Sequence, residues 1–525
     1  MKTVTTILAA LTPSLLLLTQ TAAHAQLRYT LIATSGNVAP GTPVGVRFAP
    51  PDFLDCYLDP AGNVIFPASL AGPGVGASND YALFAGQPGQ LRLIARNGSL
   101  TPLGSSSPKF EYLGSPQINT SGRAVFRAWL SGNGVDESND LSYWTGLPGP
   151  SQLIVREGSH PWEQPVLDAV ATLNAAGQVL LQANFGSKEE ILTGPLGSPQ
   201  LLAATGMQAP GTSATYTVLG NLVTSFPSIV RHAELAENGQ VAFSAVRLSD
   251  GGWGIWVGRP GSVNLLARNA MPAPGTEPFT TFTGFSQLAL GDSDRVAFYS
   301  ALQKNDGSKS TSLWVGRPGD LQLVARQGAP FSPAGPGMLL GSFETGLEGD
   351  YPIPRFRGNH LAFMAYVRPD ETASPSSYAL FAGPPDSPHL LLREGDPAPG
   401  LPEGVSIAHI SQIEVNPLGE TAFQASLRGP GLDPATDRAV WMEDAAGRLL
   451  LAIRQGDIID FGAGDLRTLR GIGHWRLADT GRQLILSARF TDDSWAVLTV
   501  TVPEPVAMPI LAIGVLSTLR RRRRP

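Results

Sequence analysis

One short phrase, a glycine-containing turn followed by an alternating apolar strand, occurs eight times along this chain. It is clearest as NTSGRAVFRAWL from Asn119 and NPLGETAFQASL from Asn416. The apolar anchors of the eight copies, separated by 55 to 65 residues, are Phe66, Phe126, Leu181, Phe243, Phe298, Phe363, Phe423 and Ile485. A repeat with this period indicates one supersecondary unit that is stable only when stacked on its neighbours.

Two further strand phrases follow each copy in a fixed order. The first is aromatic-rich and ends at a glycine turn, as in YALFAG (Tyr81–Gly86), and the second resembles LRLIARNG. A fourth, less regular apolar strand such as FTTFTGFSQLAL (Phe279–Leu290) closes each unit. The 59 Gly and 45 Pro residues supply the turns, and only 15% of residues are charged. The sequence therefore predicts an all-β chain in which each repeat is a four-stranded propeller blade.

The two ends of the repeat region hold complementary fragments of one unit. LRYTLIATSGNVAPGT, from Leu27, is a third phrase with no first or second phrase before it. The last unit has the first phrase (Ala478–Phe490) and the second (Ser494–Thr499) and then stops. Pairing the two ends would complete a blade and remove an open sheet edge. We therefore predict a closed eight-bladed β-propeller over residues 26–502, with an open solenoid as the alternative.

An arginine recurs near the end of six of the eight third-phrase strands. Equivalent positions in a closed propeller lie at one radius, so these residues are expected to form a ring: Arg96, Arg156, Arg268, Arg326, Arg393 and Arg454. One interpretation is structural, with each guanidinium bound to carbonyl or carboxylate groups of the neighbouring blade. The other is a cationic rim that receives an anionic or sugar-acid ligand.

The chain offers no local motif for catalysis, metal binding or a cofactor. Its histidines lack the spacing of a zinc site, and its only cysteine, Cys56, has no adjacent histidine or basic residue. Without Lys2 and the five C-terminal arginines, 31 basic and 43 acidic residues give the body a net charge of −12. This charge argues against nucleic acid or an anionic membrane as a partner of the body. We expect no cofactor and assign no catalytic residue.

Both termini carry features of targeting segments. Lys2, the apolar stretch Ile7–Leu18 and an A-x-A ending predict a signal peptide over residues 1–25, with Ala23 and Ala25 at the cleavage site. At the other end, the apolar segment Val506–Leu519 spans about 21 Å as a helix, short of a hydrocarbon core of about 30 Å. The arginines behind it would hold the C-terminus on the cytoplasmic side.

Residues 503–525 resemble the PEP-CTERM sorting signal. The motif consists of Pro503, Glu504 and Pro505, the short apolar segment, and a terminal run of Arg520, Arg521, Arg522, Arg523 and Arg524. The repeats resemble the bacterial tandem-repeat family named for the motif NxxGxxAF. The resemblance implies a Gram-negative bacterium in which signal peptidase and a membrane-embedded exosortase process the chain, which then reaches the cell surface, often with exopolysaccharide. A permanent membrane anchor is the alternative for the tail.

These features lead to a secreted binding or matrix protein, associated with extracellular polysaccharide, as the expected function. Two alternatives stay open: an extracytoplasmic enzyme, for example one acting on polysaccharide, with its site at the propeller axis, and a purely structural repeat protein. Convergent carboxylates or histidines on the strands nearest the axis would favour the enzyme. An axis lined by apolar and small side chains would oppose it.

Overall fold

The computed structural model describes residues 27–502, apart from 51–54, 105–106, 148, 160, 165, 167, 221–232, 293, 344–353, 371–376, 445–446, 463 and 480–481. The signal-peptide residues Ala23 and Ala25 and the whole of 503–525 lie outside the described residues. The latter include Pro503, Glu504, Pro505, Arg520, Arg521, Arg522, Arg523 and Arg524. Within the described ranges, no helix has the length and apolar character needed to cross a bilayer.

The described residues form eight antiparallel sheets, numbered here as blades in chain order, with strands given from the inside outward. Blade 1 contains β2 (Arg47–Ala49) and β3 (Tyr57–Leu58), β4 (Val64–Ala71), β5 (Tyr81–Gly86) and β6 (Arg92–Arg96). Blade 2 contains β7 (Lys109–Ile118), β8 (Ala124–Ser131), β9 (Leu141–Gly146) and β10 (Gln152–Arg156). Blade 3 contains β11 (Asp168–Leu173), β12 (Gln178–Asn184), β13 (Glu189–Pro195) and β14 (Gln200–Ala204). Blade 4 contains β15 (Tyr216–Leu219) and β16 (Ala233–Leu235), β17 (Val241–Leu248), β18 (Gly254–Arg259) and β19 (Ser262–Arg268).

The second half of the ring has the same plan. Blade 5 contains β20 (Thr281–Leu290), β21 (Val296–Gln303), β22 (Lys309–Arg317) and β23 (Asp320–Arg326). Blade 6 follows a 3₁₀ turn (Ser332–Ala334) and contains β24 (Leu339–Leu340) and β25 (Arg355–Arg357), β26 (His360–Arg368), β27 (Ser377–Gly383) and β28 (His389–Arg393). Blade 7 contains β29 (Ser406–Val415), β30 (Thr421–Arg428), β31 (Arg438–Glu443) and β32 (Leu449–Arg454). Blade 8 contains β33 (Ile458–Asp460), β34 (Leu466–Leu477), β35 (Gln483–Phe490), β36 (Trp495–Thr501) and, outermost, β1 (Arg28–Thr34).

The chain is thus a closed eight-bladed β-propeller, as the repeats predict. Its N-terminal strand β1 pairs antiparallel with β36, from Arg28 opposite Thr501 to Thr34 opposite Ala496. Inner strands of neighbouring blades contact one another around the axis, including β3 with β34 across the closure. Residues 27–502 therefore contain the whole ring, and its first and last strands begin and end side by side.

The blade boundary lies one strand away from the boundary of the sequence unit. The irregular fourth strand, expected to close each unit, instead opens the next sheet: β20 pairs with β21, which carries the following copy of the first phrase. The β19–β20 connection therefore joins two sheets and runs from the outside of one blade to the inside of the next. Because each blade ends with a third-phrase strand, the N-terminal third phrase, β1, forms the outer strand of blade 8.

Second strands are buried on both faces because each blade is covered by two neighbours. Phe423 packs toward blade 6, in one cluster with Leu380, whereas its neighbour Ala422 packs toward blade 8 with Leu484. The expected anchor of the eighth copy is wrong by one residue. Leu486, opposite Leu498, packs toward blade 7, whereas Ile485 faces blade 1. The turn of this copy, closed by the Ala478 N–H and the Gln483 carbonyl, has one residue more than that of blade 7, closed by Asn416 and Glu420. One extra residue reverses which face every following side chain takes.

The asparagine of the NxxG turn links successive blades. Asn174 accepts the Gln178 backbone N–H through Oδ1 at 2.9 Å and donates through Nδ2 to the Ala236 carbonyl of the next blade at 3.0 Å. Asn119 donates in the same way to the Asn174 carbonyl at 2.7 Å. The glycine of the motif takes the left-handed conformation, and in the fifth copy Asp294 takes it instead, with φ of 63°. The motif therefore encodes both a turn and a contact between blades.

Candidate ligand site at the ring axis

The end of the ring that carries the NxxG turns, here called the turn face, gathers charged side chains around the axis. They come from the last residues of the inner strands and from the turns that follow, in blades 4 to 8. This axial cluster consists of Glu234, Glu237, Asp292, Arg355, Arg357, Glu414, Arg476 and Asp479. Five carboxylates thus accompany three guanidinium groups, so the cluster carries an excess of negative charge.

Arg357 is the central cation of this cluster. Its side chain keeps contact with solvent, and the Asp292 carboxylate next to it also accepts the Gly358 backbone N–H at 3.3 Å. Desolvation lowers the pKa of Arg357, but the carboxylates around it have the larger effect and raise this pKa. These carboxylates are Asp479, Glu234, Glu414 and Asp292. These carboxylates belong to four different blades, so only closure of the ring brings them to one arginine.

Glu414 lies between two further arginines. Its Oε1 is 3.6 Å from Nη2 of Arg355 in blade 6 and 3.4 Å from Nη1 of Arg476 in blade 8. The Arg476 guanidinium also lies 5.4 Å from the centre of the Tyr57 ring in blade 1. Burial opposes the charge of Arg476, but the carboxylate of Glu414 raises its pKa above the ordinary value.

Two carboxyl groups of the cluster have a raised pKa, which disfavours their charged form. Burial raises the pKa of Glu237, although its Oε2 accepts the Ala175 backbone N–H at 2.6 Å. Its Oε1 accepts from the Thr120 hydroxyl at 3.4 Å, so this side chain contacts blades 2 and 3 from blade 4. Burial also raises the pKa of Asp479, with Arg357 acting in the opposite direction.

The cluster therefore presents hydrogen-bond donors and acceptors side by side. Guanidinium groups only donate and ionised carboxylates only accept, whereas a hydroxyl group does both. A ligand rich in hydroxyl groups satisfies both sets at once. The two carboxylates with raised pKa add the capacity to give or take a proton.

The six arginines that recur in the third phrase lie elsewhere, at the ends of the outer strands on the opposite face. Arg96 donates through Nε to the Asn79 carbonyl at 2.7 Å, and Arg156 donates in the same way to the Asn139 carbonyl at 2.7 Å. Arg454 reaches the Thr436 carbonyl at 3.2 Å. Each of these partners lies in the loop between the second and third strands of the arginine's own blade.

The other three arginines of this ring also bind within their own blades or to the connections that enter them. Arg268 pairs with the Asp250 carboxylate, and Arg393 donates to the Ala334 carbonyl in the connection that enters blade 6. Arg326 donates to the Ser310 hydroxyl at 3.2 Å and pairs with Glu277. The expected partner in the neighbouring blade is thus replaced by groups of the same blade or of the connection that enters it.

A position that sequence reasoning missed follows the last residue of each outer strand. In most blades its side chain accepts a backbone N–H at or near the start of the third strand. Asn97 accepts from Tyr81 at 2.8 Å, and Gln327 accepts from Thr311 at 3.0 Å. The residue type varies, as Thr205 fills the same role for Glu189 at 3.1 Å, so only the constant polarity of the position signals it.

The residues described here offer neither a metal centre nor a reactive thiol. No group of three or more His, Cys, Asp or Glu side chains within these ranges is arranged to hold a metal ion. Burial raises the pKa of Cys56 to about 12, so its thiol stays protonated and unreactive at neutral pH. His160 and His232 fall outside the described residues.

A cavity of about 640 Å³ opens where blade 1 meets blade 8, on the face opposite the NxxG turns. Its polar lining includes Arg47, Asp492 and Asp493. Arg47 donates to the Gly36 carbonyl at 2.6 Å, and Asp493 is within 3.0 Å of both Arg470 and Arg489. The charges that line this cavity thus have partners within the protein.

Solved structures similar to this chain are propellers. The β-propeller domain of the Trilobed protease from Pyrococcus furiosus is 10% identical, with a TM-score of 0.37 and coverage of 74% of this chain and 95% of that chain. The Dos1 propeller is 9% identical, with a TM-score of 0.37 and coverage of 88% and 96%. For the Pyrococcus horikoshii acylaminoacyl peptidase the identity is 11%, the TM-score is 0.36 and the coverage is 72% of this chain but 49% of the peptidase.

None of these likenesses bears on function, and no curated protein matches the chain. Residues 18–348 and 357–509 match the model of a family of unknown function (DUF7453), and the chain belongs to that family.

Proposed function

We propose that this protein is a secreted, surface-sorted β-propeller that binds extracellular polysaccharide through the axial cluster. The observation that carries the proposal is the convergence of five carboxylates and three arginines from blades 4 to 8 on one end of the axis. Neighbouring hydroxyl groups of a sugar ring match such an alternation of acceptors and donors. The excess of carboxylates favours a neutral glycan over an acidic one.

The proposal includes the route to the surface. Signal peptidase cleaves after Ala25, and an exosortase recognises residues 503–525, so the protein is held at the inner membrane only until its tail is processed. Arg28 pairs with Thr501, so the ring begins and ends at one point on the turn face. A closed ring is therefore compatible with attachment at either terminus.

Binding is tested with residues 27–502 and three hexasaccharides, from cellulose, starch and polymannuronate, in isothermal titration. We expect binding of a neutral hexasaccharide and at least a tenfold loss of affinity in Arg357→Gln. Arg317→Gln is the matched control, because Arg317 is an exposed arginine on an outer hairpin of blade 5. Failure of all three hexasaccharides to bind the wild-type protein contradicts the proposal.

Sorting is tested in a Gram-negative host that carries an exosortase. Replacement of Pro503, Glu504 and Pro505 by alanine is expected to leave the uncleaved chain in the inner membrane, whereas the native chain reaches the surface or medium. Mass spectrometry of the released protein locates its new C-terminus. Equal release of the two proteins argues against a sorting signal.

A polysaccharide-acting enzyme is the second candidate, favoured by the raised pKa of Glu237 and Asp479. Glycoside hydrolysis uses two carboxyl groups, one of them protonated as a general acid. Release of reducing ends from the same hexasaccharides, abolished in both Glu237→Gln and Asp479→Asn, would establish it. Binding without turnover favours the binding protein, and neither binding nor turnover leaves a purely structural role.

A further inference from the structure

A second cluster with the chemistry of a sugar site lies on blades 1 to 3, away from the axial cluster. Here called the aromatic platform, it consists of Tyr81, Tyr112 and Trp129, with Arg127 at its edge. The Tyr81 and Tyr112 rings are 6.3 Å apart and nearly parallel, with 9° between their planes. The Tyr112 and Trp129 rings are 5.3 Å apart at 68°. The platform thus continues from blade 1 onto blade 2.

Tyr112 is the exposed member of the platform, with 53% of its surface open to solvent. Its ring edge lies against Gly114, where an added Cβ would be only 3.1 Å from Cε1 of Tyr112. The ring therefore has a defined place on the strand although it is exposed. Together with the partly exposed Tyr81 and Trp129, this ring forms a contiguous aromatic surface, and contiguous apolar surface is what marks a binding site.

Arg127 adds a polar group beside the rings. Its guanidinium carbon lies 4.2 Å from the centre of the Trp129 ring, and its Nη1 is 3.9 Å from Asp168 of blade 3. The ion pair is long, and Nε of Arg127 is buried with no hydrogen-bond partner. The platform thus combines flat apolar surface with hydrogen-bonding capacity, as a pyranose ring requires.

The pair Tyr112–Trp129 departs from the repeat, whereas Tyr81 recurs as Tyr378 and packs against the core between blades 1 and 2. Tyr112 lies opposite Trp129 in the pairing of β7 with β8. The corresponding pairs are Gly284 with Ala301 in blade 5, His409 with Ser426 in blade 7, and Gly471 with Arg489 in blade 8. These blades fold without an aromatic pair at this position, so the fold of a blade does not require one.

We infer that the aromatic platform is a stacking subsite for one sugar ring of the polysaccharide, and this inference rests on the proposed function. Tyr112 and Asn119 lie seven residues apart on and just after β7, which places the platform about 20 Å from the turn face. A monosaccharide cannot reach from the platform to the axial cluster. The inferred ligand is therefore a chain of sugars that occupies both sites.

Tryptophan fluorescence gives a direct measure of platform occupancy. Six tryptophans are fully buried: Trp144, Trp162, Trp256, Trp314, Trp441 and Trp475. Trp495 is nearly so, which leaves Trp129 and Trp253 as the partly exposed members of the described set. In a Trp253→Phe background, quenching by acrylamide therefore reports mainly on Trp129. We expect the cellulose, starch or polymannuronate hexasaccharide that binds to protect Trp129 from quenching.

Substitutions separate the platform from the axial cluster. Tyr112→Ala is expected to weaken hexasaccharide binding at least tenfold with little change in Tm, and Tyr112→Phe to retain binding because the ring is kept. Phe279→Ala is the control, since Phe279 is 79% exposed and outside the platform. Unchanged affinity in both Tyr112→Ala and Trp129→Ala, with the wild type binding, overturns the platform and leaves the proposed function standing. Absence of binding by the wild type overturns both.

Discussion

The arginines of the outer strands recur from one repeat to the next, whereas those of the axial cluster do not. The outer ones recur at one position in six blades, and each bonds to its own blade or to the connection that enters it, as Arg96 does with the Asn79 carbonyl. Arg355, Arg357 and Arg476 have no such recurrence, and they pair with carboxylates of other blades. In this molecule a feature that recurs serves the fold. A feature found once is therefore the better guide to function.

Removal of the ring-closing strand is the strongest challenge to the role of recurring features. Deletion of residues 27–34 exposes the edge of β36 and removes Ile32 and Ala33 from the core between blades 8 and 1. It also removes the Thr34 hydroxyl, which donates to the Trp495 carbonyl at 2.8 Å. We expect that unfolding in urea, measured by circular dichroism, is no longer cooperative. A sharp transition at the wild-type midpoint would show that closure is dispensable.

The linking asparagines give the next largest effect. Asn174 is 3% exposed and bonds both to its own turn and to the next blade, so Asn174→Ala should lower the free energy of unfolding by ~1–3 kcal/mol. Asn37→Ala is the control, because Asn37 is exposed and its side chain has no hydrogen bond to another described residue. Urea denaturation of both variants measures the difference. Equal losses would mean that the buried link contributes nothing specific.

A paired substitution compares the two sets of arginines directly. Arg326→Gln breaks bonds to Ser310 and Glu277 and should lower the free energy of unfolding by ~1–2 kcal/mol, with no change in hexasaccharide affinity. Arg357→Gln should weaken hexasaccharide binding at least tenfold. Denaturation and titration calorimetry on the same samples measure both quantities. A loss of affinity in Arg326→Gln would place ligand binding on the outer arginines instead.

The smallest expected effect is a dependence of stability on acid pH. The Arg326 guanidinium, by its hydrogen bond, lowers the pKa of Glu277 from 4.5 to about 2. Because the folded pKa is the lower one, this contribution is complete above pH 4.5 and declines as the pH falls toward 2. Glu277 is largely exposed, so screening keeps the effect small. Tm measured from pH 5 to pH 2 should fall less steeply in Glu277→Gln; identical slopes would exclude the contribution.

The repeats predicted the propeller, its eight blades and its closure by the N-terminal strand. They did not predict the blade boundary, because a strand's sheet depends on which strand it pairs with, and β20 pairs forward to β21. The anchor at Ile485 was wrong because one additional residue changes which face a side chain takes. The six arginines end equivalent outer strands, but their partners lie in or beside their own blades and not in the neighbouring blade that one interpretation expected.

The axial cluster gave no sequence signal of its own, since Glu237, Arg357 and Asp479 stand in separate copies with no motif around them. Charged residues that interrupt the repeat beside the NxxG turns were the only available hint.

The sequence by itself determined the repeating strand unit, the chemistry of its turns and the complementary ends, because these depend on residues close together in the chain. The tertiary structure alone decided which charged groups meet at the axis and which aromatic rings remain exposed. Closure of the ring brings residues from blades 4 to 8 to Arg357, and their pKa values depend on that proximity and on burial, neither of which a local pattern contains.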